Sequence, residues 1–179
     1  MSLSELLSCL NALKIRLNQS DEKVILVQME KGDLSRKTFS FNPPADTGMI
    51  HDFFKENNWN VPEDYAQFLR EHDGATLFED PKNGGGLELL SLKHILPYIN
   101  DYGYMFPDHC YPIGFYNAAI LMIDSEESKK SSEYMFWQSC YDKHDEKLNL
   151  RMNFETWFDL FIVSQGSEYW LWPTFKPPL

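Results

Sequence analysis

Val61-Pro62-Glu63-Asp64-Tyr65-Ala66-Gln67-Phe68-Leu69-Arg70-Glu71-His72-Asp73-Gly74 is the stretch that organises the reading of this chain. Val61, Tyr65, Phe68, Leu69 and His72 recur at i, i+4, i+7, i+8 and i+11, the spacing that gathers side chains on one face of a helix. Proline suits the first helical position, where its missing N–H would have no partner anyway. Glu63 and Asp64 favour the positive end of the helix dipole. Asp73-Gly74 ends the helix, because glycine takes the left-handed conformation that a helix C-terminus often uses.

Working outward, Ile50, Phe53, Phe54 and Asn57 predict a preceding helix with a narrow apolar face. Asn42-Pro43-Pro44-Ala45-Asp46 interrupts the pattern, since proline fixes φ and cannot donate to a ladder. This break divides the chain into an N-terminal extension over residues 1–45, packed on the main body, and a main domain over 46–179. Within the extension, Leu3, Leu6, Leu7, Leu10 and Leu13 mark an amphipathic helix from Ser2 to about Asn18. Lys23 to Met29 is rich in β-branched residues and reads as a strand, and Lys37 to Phe41 alternates polar with apolar. With Gly32-Asp33 between them, the two form a hairpin.

Downstream of Gly74 the pattern changes to short strands. Thr76 to Glu79 and Leu87 to Leu90 are strand candidates around a flexible loop, Asp80 to Gly86. Ser91 caps a short helix containing His94, Ile95 and Tyr98. Asn100 to Tyr111 holds Tyr102, Tyr104 and Phe106 without a clear period and reads as an aromatic loop. Pro112 to Phe115 and Ala118 to Ile123 are buried strands. A charged, serine-rich turn over residues 124–133 then leads to Tyr134-Met135-Phe136-Trp137. Asn153 caps a last helix whose apolar face is Phe154, Trp157, Phe158 and Phe161, closed by Gly166, before Tyr169 to Trp172 and a proline-rich tail. Helices at both ends of a run of strands predict a single-domain α+β fold, with a mainly antiparallel sheet flanked by helices.

Composition bounds the function. Of 179 residues, 43% are hydrophobic and 15% aromatic, enough for a packed core and too many for a disordered chain. No apolar run approaches the ~20 residues of a membrane span. Met1 to Glu5 carries an early acid and no basic region, unlike a secretory signal. Three cysteines, Cys9, Cys110 and Cys140, are an odd number without zinc-like spacing, which fits a reducing, cytoplasmic setting. Sixteen Lys and Arg against 27 Asp and Glu leave a net charge of −11. Such a surface repels nucleic acid and anionic membrane and attracts basic partners.

The residues that carry chemistry elsewhere find structural readings here. His72-Asp73 stands at a helix end, where neighbours seldom aim at one substrate, and no serine or cysteine sits in a nucleophile's context. His94 stands alone, and His109 beside Cys110 has no second pair with which to hold a metal. Gly84-Gly85-Gly86 lacks the ending of a phosphate loop. Asp124-Ser125-Glu126-Glu127 lacks the alternating ligands of a calcium loop. The expectation is therefore no enzyme, no cofactor and no metal. Most of the five tryptophans lie on apolar faces and read as core; Trp59 and the aromatics at 102–106 lie in loops and remain as binding candidates.

The run Ile50…Phe53-Phe54…Trp59…Val61-Pro62-Glu63-Asp64-Tyr65…Phe68-Leu69…His72-Asp73-Gly74 resembles the signature of the SUKH superfamily. That superfamily includes the cell-wall-synthesis regulator domain of fungi and many bacterial immunity proteins. The order of later segments is similar too, through Leu87 to Leu90, Pro112-Ile113-Gly114, Ile120 to Asp124, Tyr134 to Trp137 and the helix of Phe154, Trp157 and Phe161. Together they span roughly Met49 to Trp172. The sequence departs from the family pattern at Val61, where leucine is usual, and at His72-Asp73-Gly74-Ala75, where Asn-Gly-Gly is usual. The resemblance implies a non-catalytic antitoxin that binds a cognate toxin protein, often a nuclease, and a basic toxin would suit the acidic surface. The candidate contacts are Glu79, Asp80, Asp101, Tyr102, Tyr104, Asp108, Glu126 and Glu127, which mix carboxylates with rigid aromatic anchors. The alternative it implies is a regulatory scaffold like the fungal relatives.

Overall fold

The computed structural model describes residues 4–20, 22–105, 107–141 and 146–173. Leu3, Phe106 and the tail beyond Pro173 lie outside the described residues. Helix α1 (Glu5–Asn18) buries Leu6, Leu10, Leu13 and Leu17, and the Ser4 hydroxyl accepts from the Leu7 N–H. Helix α2 (Thr47–Glu56) is capped by Asp46 and buries Ile50 and Phe54. Helix α3 (Glu63–Glu71) buries Tyr65, Ala66, Phe68 and Leu69, the face that the 3.6-residue spacing marks. Pro62 is the residue just before the helix, with extended backbone, and not its first turn.

Among the described residues, eight strands form one antiparallel sheet in sequence order. They are β1 (Val24–Gln28), β2 (Leu34–Phe41), β3 (Ala75–Glu79), β4 (Leu87–Leu89), β5 (Cys110–Tyr116), β6 (Ala119–Asp124), β7 (Met135–Ser139) and β8 (Leu148–Asn149). The first hairpin is stitched to the rest where β2 pairs with β3, Phe41 lying opposite Ala75. β8 escapes sequence reading because two exposed residues carry no period.

Alternation along the strands gives the sheet two faces. Leu89, Gly114, Leu121 and Trp137 stand in one cross-strand row. That face belongs to the main core, which also holds the buried faces of α1, α2, α3 and α5 (Phe154–Val163). The outer face carries a smaller core of Met105, Cys110, Ile120, Met122 and Phe136. Tyr98 and Ile99 of α4 (Leu92–Tyr102) pack against it. This helix is longer than the sequence reading has it. It runs through Pro97, and a 3₁₀ turn over Gly103–Met105 follows. The aromatic loop expected from Asn100 is thus helix as far as Tyr102, because Leu92, Ile95, Tyr98, Ile99 and Tyr102 keep a helical period across the proline. No described helix is long and apolar enough to cross a membrane.

Side chains from one helix cap another. Asp64 of α3 accepts from the Tyr134 hydroxyl, and its second oxygen accepts from the Glu155 N–H in the first turn of α5, at 3.0 Å. The Glu155 carboxylate in turn accepts from the Leu6 N–H of α1 at 2.9 Å, and the Ser4 hydroxyl reaches back to Gln67 of α3 at 2.8 Å. α4 is capped from a distance as well. Asp73 accepts from the Leu92 N–H at 2.8 Å, in the role the sequence assigns to Ser91.

His72 and Asp73 therefore point to different partners. The His72 Nδ1 lies 2.9 Å from the Asn42 carbonyl and must donate to it, while Nε2 is buried with no hydrogen-bond partner. The ring packs 4.7 Å from that of Phe41. Burial, outweighing the Asn42 bond, lowers its pKa below the ordinary 6.5. A depressed folded pKa means that the unfolded chain binds the extra proton first, so this contribution is intact above pH 6.5 and is lost as pH falls below it. Urea midpoints should accordingly drop more steeply on acidification in the wild type than in His72→Asn, which keeps a donor for Asn42 but cannot titrate.

Candidate functional site

The outer face of the sheet is covered only in part. Thr76 of β3 lies opposite Glu88 of β4, and Glu88 opposite Phe115 of β5. Beside these residues a groove of about 620 Å³ opens, lined by Thr76, Glu79, Gly85, Gly86, Glu88 and Phe115 among others. Glu88 is exposed between two buried leucines, the pattern of a strand with one wet face. Among the described contacts neither the Glu79 nor the Glu88 carboxylate is matched by a cation. The rim is shaped by Asp80, whose Oδ1 accepts from the Lys82 and Asn83 N–H groups, both at 2.9 Å. Those two bonds hold its carboxyl below the usual range.

A second acidic region lies where β5 begins and β6 ends. Cys110 is the register partner of Asp124, and the Ser125 N–H donates to the His109 carbonyl at 2.9 Å. Asp124 is buried; its Oδ1 accepts from the Glu126 and Glu127 N–H groups, each at 3.0 Å. Its Oδ2 meets the Lys147 ammonium at 3.1 Å and the His109 Nε2 at 3.3 Å. Burial works to raise the Asp124 carboxyl, yet the backbone bonds and Lys147 hold it below the ordinary carboxylate range. Lys147 also lies 3.4 Å from the Cys110 Sγ and 4.1 Å from the centre of the Phe136 ring. Burial pushes the Cys110 thiol up to about 12, so it is a thiol at neutral pH.

The eight sequence candidates fall in these two places and at the end of α4. Glu79 and Asp80 border the groove. Asp108, Glu126 and Glu127 belong to the second region, where Glu126 pairs with Lys129 at 2.7 Å and Glu127 with Lys130 at 3.8 Å, which moderates their charge. Asp101 and Tyr102 sit in the last turn of α4, with the Tyr102 ring 4.7 Å from that of Tyr98. Tyr104 is 77% exposed in the turn after it and is the most open of the described 102–105 aromatics. Trp59 leaves the set: it packs 5.1 Å from Tyr111 and 6.3 Å from Phe53, against the main core. Sequence reading missed Glu88, although Leu87-Glu88-Leu89 carries the alternation that reveals it. It also missed Lys147, which no spacing connects to Asp124.

A comparison with protein families agrees with this architecture. The profile of the SMI1 / KNR4 family (SUKH-1) matches residues 44–160. This chain belongs to the SMI1 / KNR4 family. Within the family match lie α2 to α4, β3 to β8 and both acidic regions; α1, β1 and β2 precede it. Two proteins of Bacillus subtilis (strain 168) are similar to this SMI1 / KNR4 member. The uncharacterized protein YnaB is 33% identical over 135 residues, covering 74% of this chain and 87% of YnaB. The uncharacterized protein YobM is 32% identical over 171 residues, covering 90% of this chain and 89% of YobM. A match of that breadth has to reach into the segment before residue 44 and to include the β1–β2 stretch of this chain.

Proposed function

We propose that this SMI1 / KNR4 member works by binding another protein, as an immunity protein that neutralises a cognate toxin through its acidic outer face. The observation that carries the reading is the groove on the uncovered part of the sheet. There Glu88 stands between Thr76 of β3 and Phe115 of β5, and Glu79 lines the same groove, so two carboxylates share it with an aromatic surface. A lysine or arginine of a partner would find its charge matched and its stem packed on the ring. The net charge of −11 supports a basic partner, because it speeds encounter and repels acidic competitors. A nuclease toxin, whose own surface must attract phosphate, fits that description. The immunity protein would then resemble the nucleic acid in charge and compete for the same surface.

Calorimetry with the toxin domain encoded in the neighbouring reading frame tests this. Complex formation at micromolar concentration or tighter, weakened by added salt, is the expected result. Reversing the two groove carboxylates together, Glu79→Lys with Glu88→Lys, should weaken binding roughly tenfold to a hundredfold while leaving the melting temperature nearly unchanged. Absence of any complex, together with no protection of cells that express the toxin, would defeat the reading.

A further inference from the structure

The second acidic region holds a donor set that sequence spacing hides. The His109 imidazole, the Cys110 thiol and the Asp124 carboxylate each offer one ligand atom, and these atoms all lie within 4.8 Å of one another. We propose that His109, Cys110 and Asp124 form a binding site for a thiophilic divalent cation of the zinc type, with the Lys147 ammonium as its displaceable occupant.

The geometry is close to what such an ion requires. At zinc's usual bond lengths, neighbouring donors around a tetrahedron stand roughly 3.3–3.6 Å apart. The His109 Nε2 and Asp124 Oδ2 are already 3.3 Å apart. The whole set lies within 4.8 Å, and the 46% exposed His109 side chain can turn toward the Cys110 sulfur without repacking the core. Cys110 and Asp124 stand opposite each other in the β5–β6 ladder, so the sheet sets their spacing. The two N–H groups on Asp124 Oδ1 orient its other oxygen toward the site, the kind of outer support that metal carboxylates use. A thiol, an imidazole and a single carboxylate form a set that selects zinc or cobalt over magnesium and calcium. The open side at His109 leaves a fourth position for water.

Lys147 explains how the site is neutral without an ion and how it stays neutral with one. In the structure the Lys147 ammonium balances the Asp124 carboxylate, and Cys110 keeps its proton. When the divalent ion enters, the sulfur–hydrogen bond of Cys110 breaks and a metal–sulfur bond forms. The proton leaves to solvent, and the ammonium swings out with its charge. Two positive charges then face one thiolate and one carboxylate. Lys147 gives up the Asp124 bond and its place over Phe136 in the exchange. Affinity is therefore lower than that of a site built without a lysine.

Titrating the untagged full chain with zinc chloride should show one ion bound per chain and one proton released, read from the dependence of the heat on buffer ionisation. Cobalt should give a thiolate-to-metal charge-transfer band that survives Cys9→Ser and Cys140→Ser. His109→Ala removes a half-exposed side chain and tests the site without threatening the fold; it should weaken binding roughly tenfold or more. Lys147→Met should strengthen it by a similar factor, with the single proton from Cys110 still released. No saturable binding, a cobalt complex without the thiolate band, or affinities that ignore His109→Ala or Lys147→Met would each overturn the assignment.

Discussion

Asp64→Ala should be among the most destabilising single substitutions in this protein, costing about 3–4 kcal/mol. The carboxylate accepts from the Tyr134 hydroxyl and from the Glu155 N–H, and that hydroxyl itself accepts from the Phe154 N–H at 3.2 Å. Tyr134 is 4% exposed, so its hydroxyl has no water to turn to once the carboxylate is gone. Each donor left buried and unmatched costs about 1–3 kcal/mol. Losing a cap from the first turn of α5 adds about 1 kcal/mol. For a chain of this size each kcal/mol lowers the melting temperature by about 2–4 °C, so the drop should be roughly 6–16 °C. Asp64→Asn keeps one acceptor oxygen and should lose about half as much. A melting curve for Asp64→Ala within about 2 °C of wild type would show that α3 and α5 are held together by apolar packing alone. The acid of the Pro-Glu-Asp-Tyr motif is thus a structural joint between α3, the residue that leads into β7, and α5.

Gly74→Ala should follow closely, at about 3 kcal/mol or more, for a steric reason. Gly74 has φ +91°, and a Cβ there would lie 2.7 Å from the Leu89 carbonyl oxygen and 2.9 Å from the Ser91 nitrogen. Neither atom can yield easily. Leu89 is in register with both Ala75 and Gly114, and α4 begins just beyond Ser91, on the Asp73 cap. The glycine thus permits β3 to leave α3 beneath the start of α4, which a C-cap reading of the sequence does not convey. Gly84→Ala is the control. Its φ is +69°, but nothing lies within 4 Å of the added methyl, so only the backbone preference of about 1 kcal/mol is lost. Denaturant midpoints for the two variants separate the contributions; equal losses would mean that the close approach at Gly74 costs nothing.

The same contrast between local pattern and distant contact runs through the candidate site. Glu79 and Asp80 stand at a strand end and the start of a glycine-rich loop, local features that the sequence displays, and both are half-buried in the fold. Glu88 was legible in principle from its two leucine neighbours. Tyr102 was placed in a loop because the stretch from Asn100 shows no clear period of its own, and the helix before it contains Pro97. The helix continues through it, since Tyr98 and Ile99 gain burial against the outer face that offsets the lost hydrogen bond. Trp59 read as a loop aromatic, and only the approach of Tyr111 from β5 makes it a packed residue. The meeting of His109, Cys110, Asp124 and Lys147 could not be read at all. It depends on the β5–β6 register and on where the chain returns before β8.

By itself the amino-acid sequence determined most of the helices and strands (β8 and the end of α4 excepted), the apolar face of those it marked, the α+β class and the net negative charge. These follow from spacing within a few residues and from composition. Tertiary structure alone decided that Asp64 caps a helix some 90 residues away, that a groove opens beside Glu88 on the outer face, and that a buried carboxylate meets a thiol and a lysine. The reason is physical. Periodicity specifies the direction of a side chain from its own backbone, whereas a partner across the fold is set by strand register and helix packing, to which the local pattern is blind.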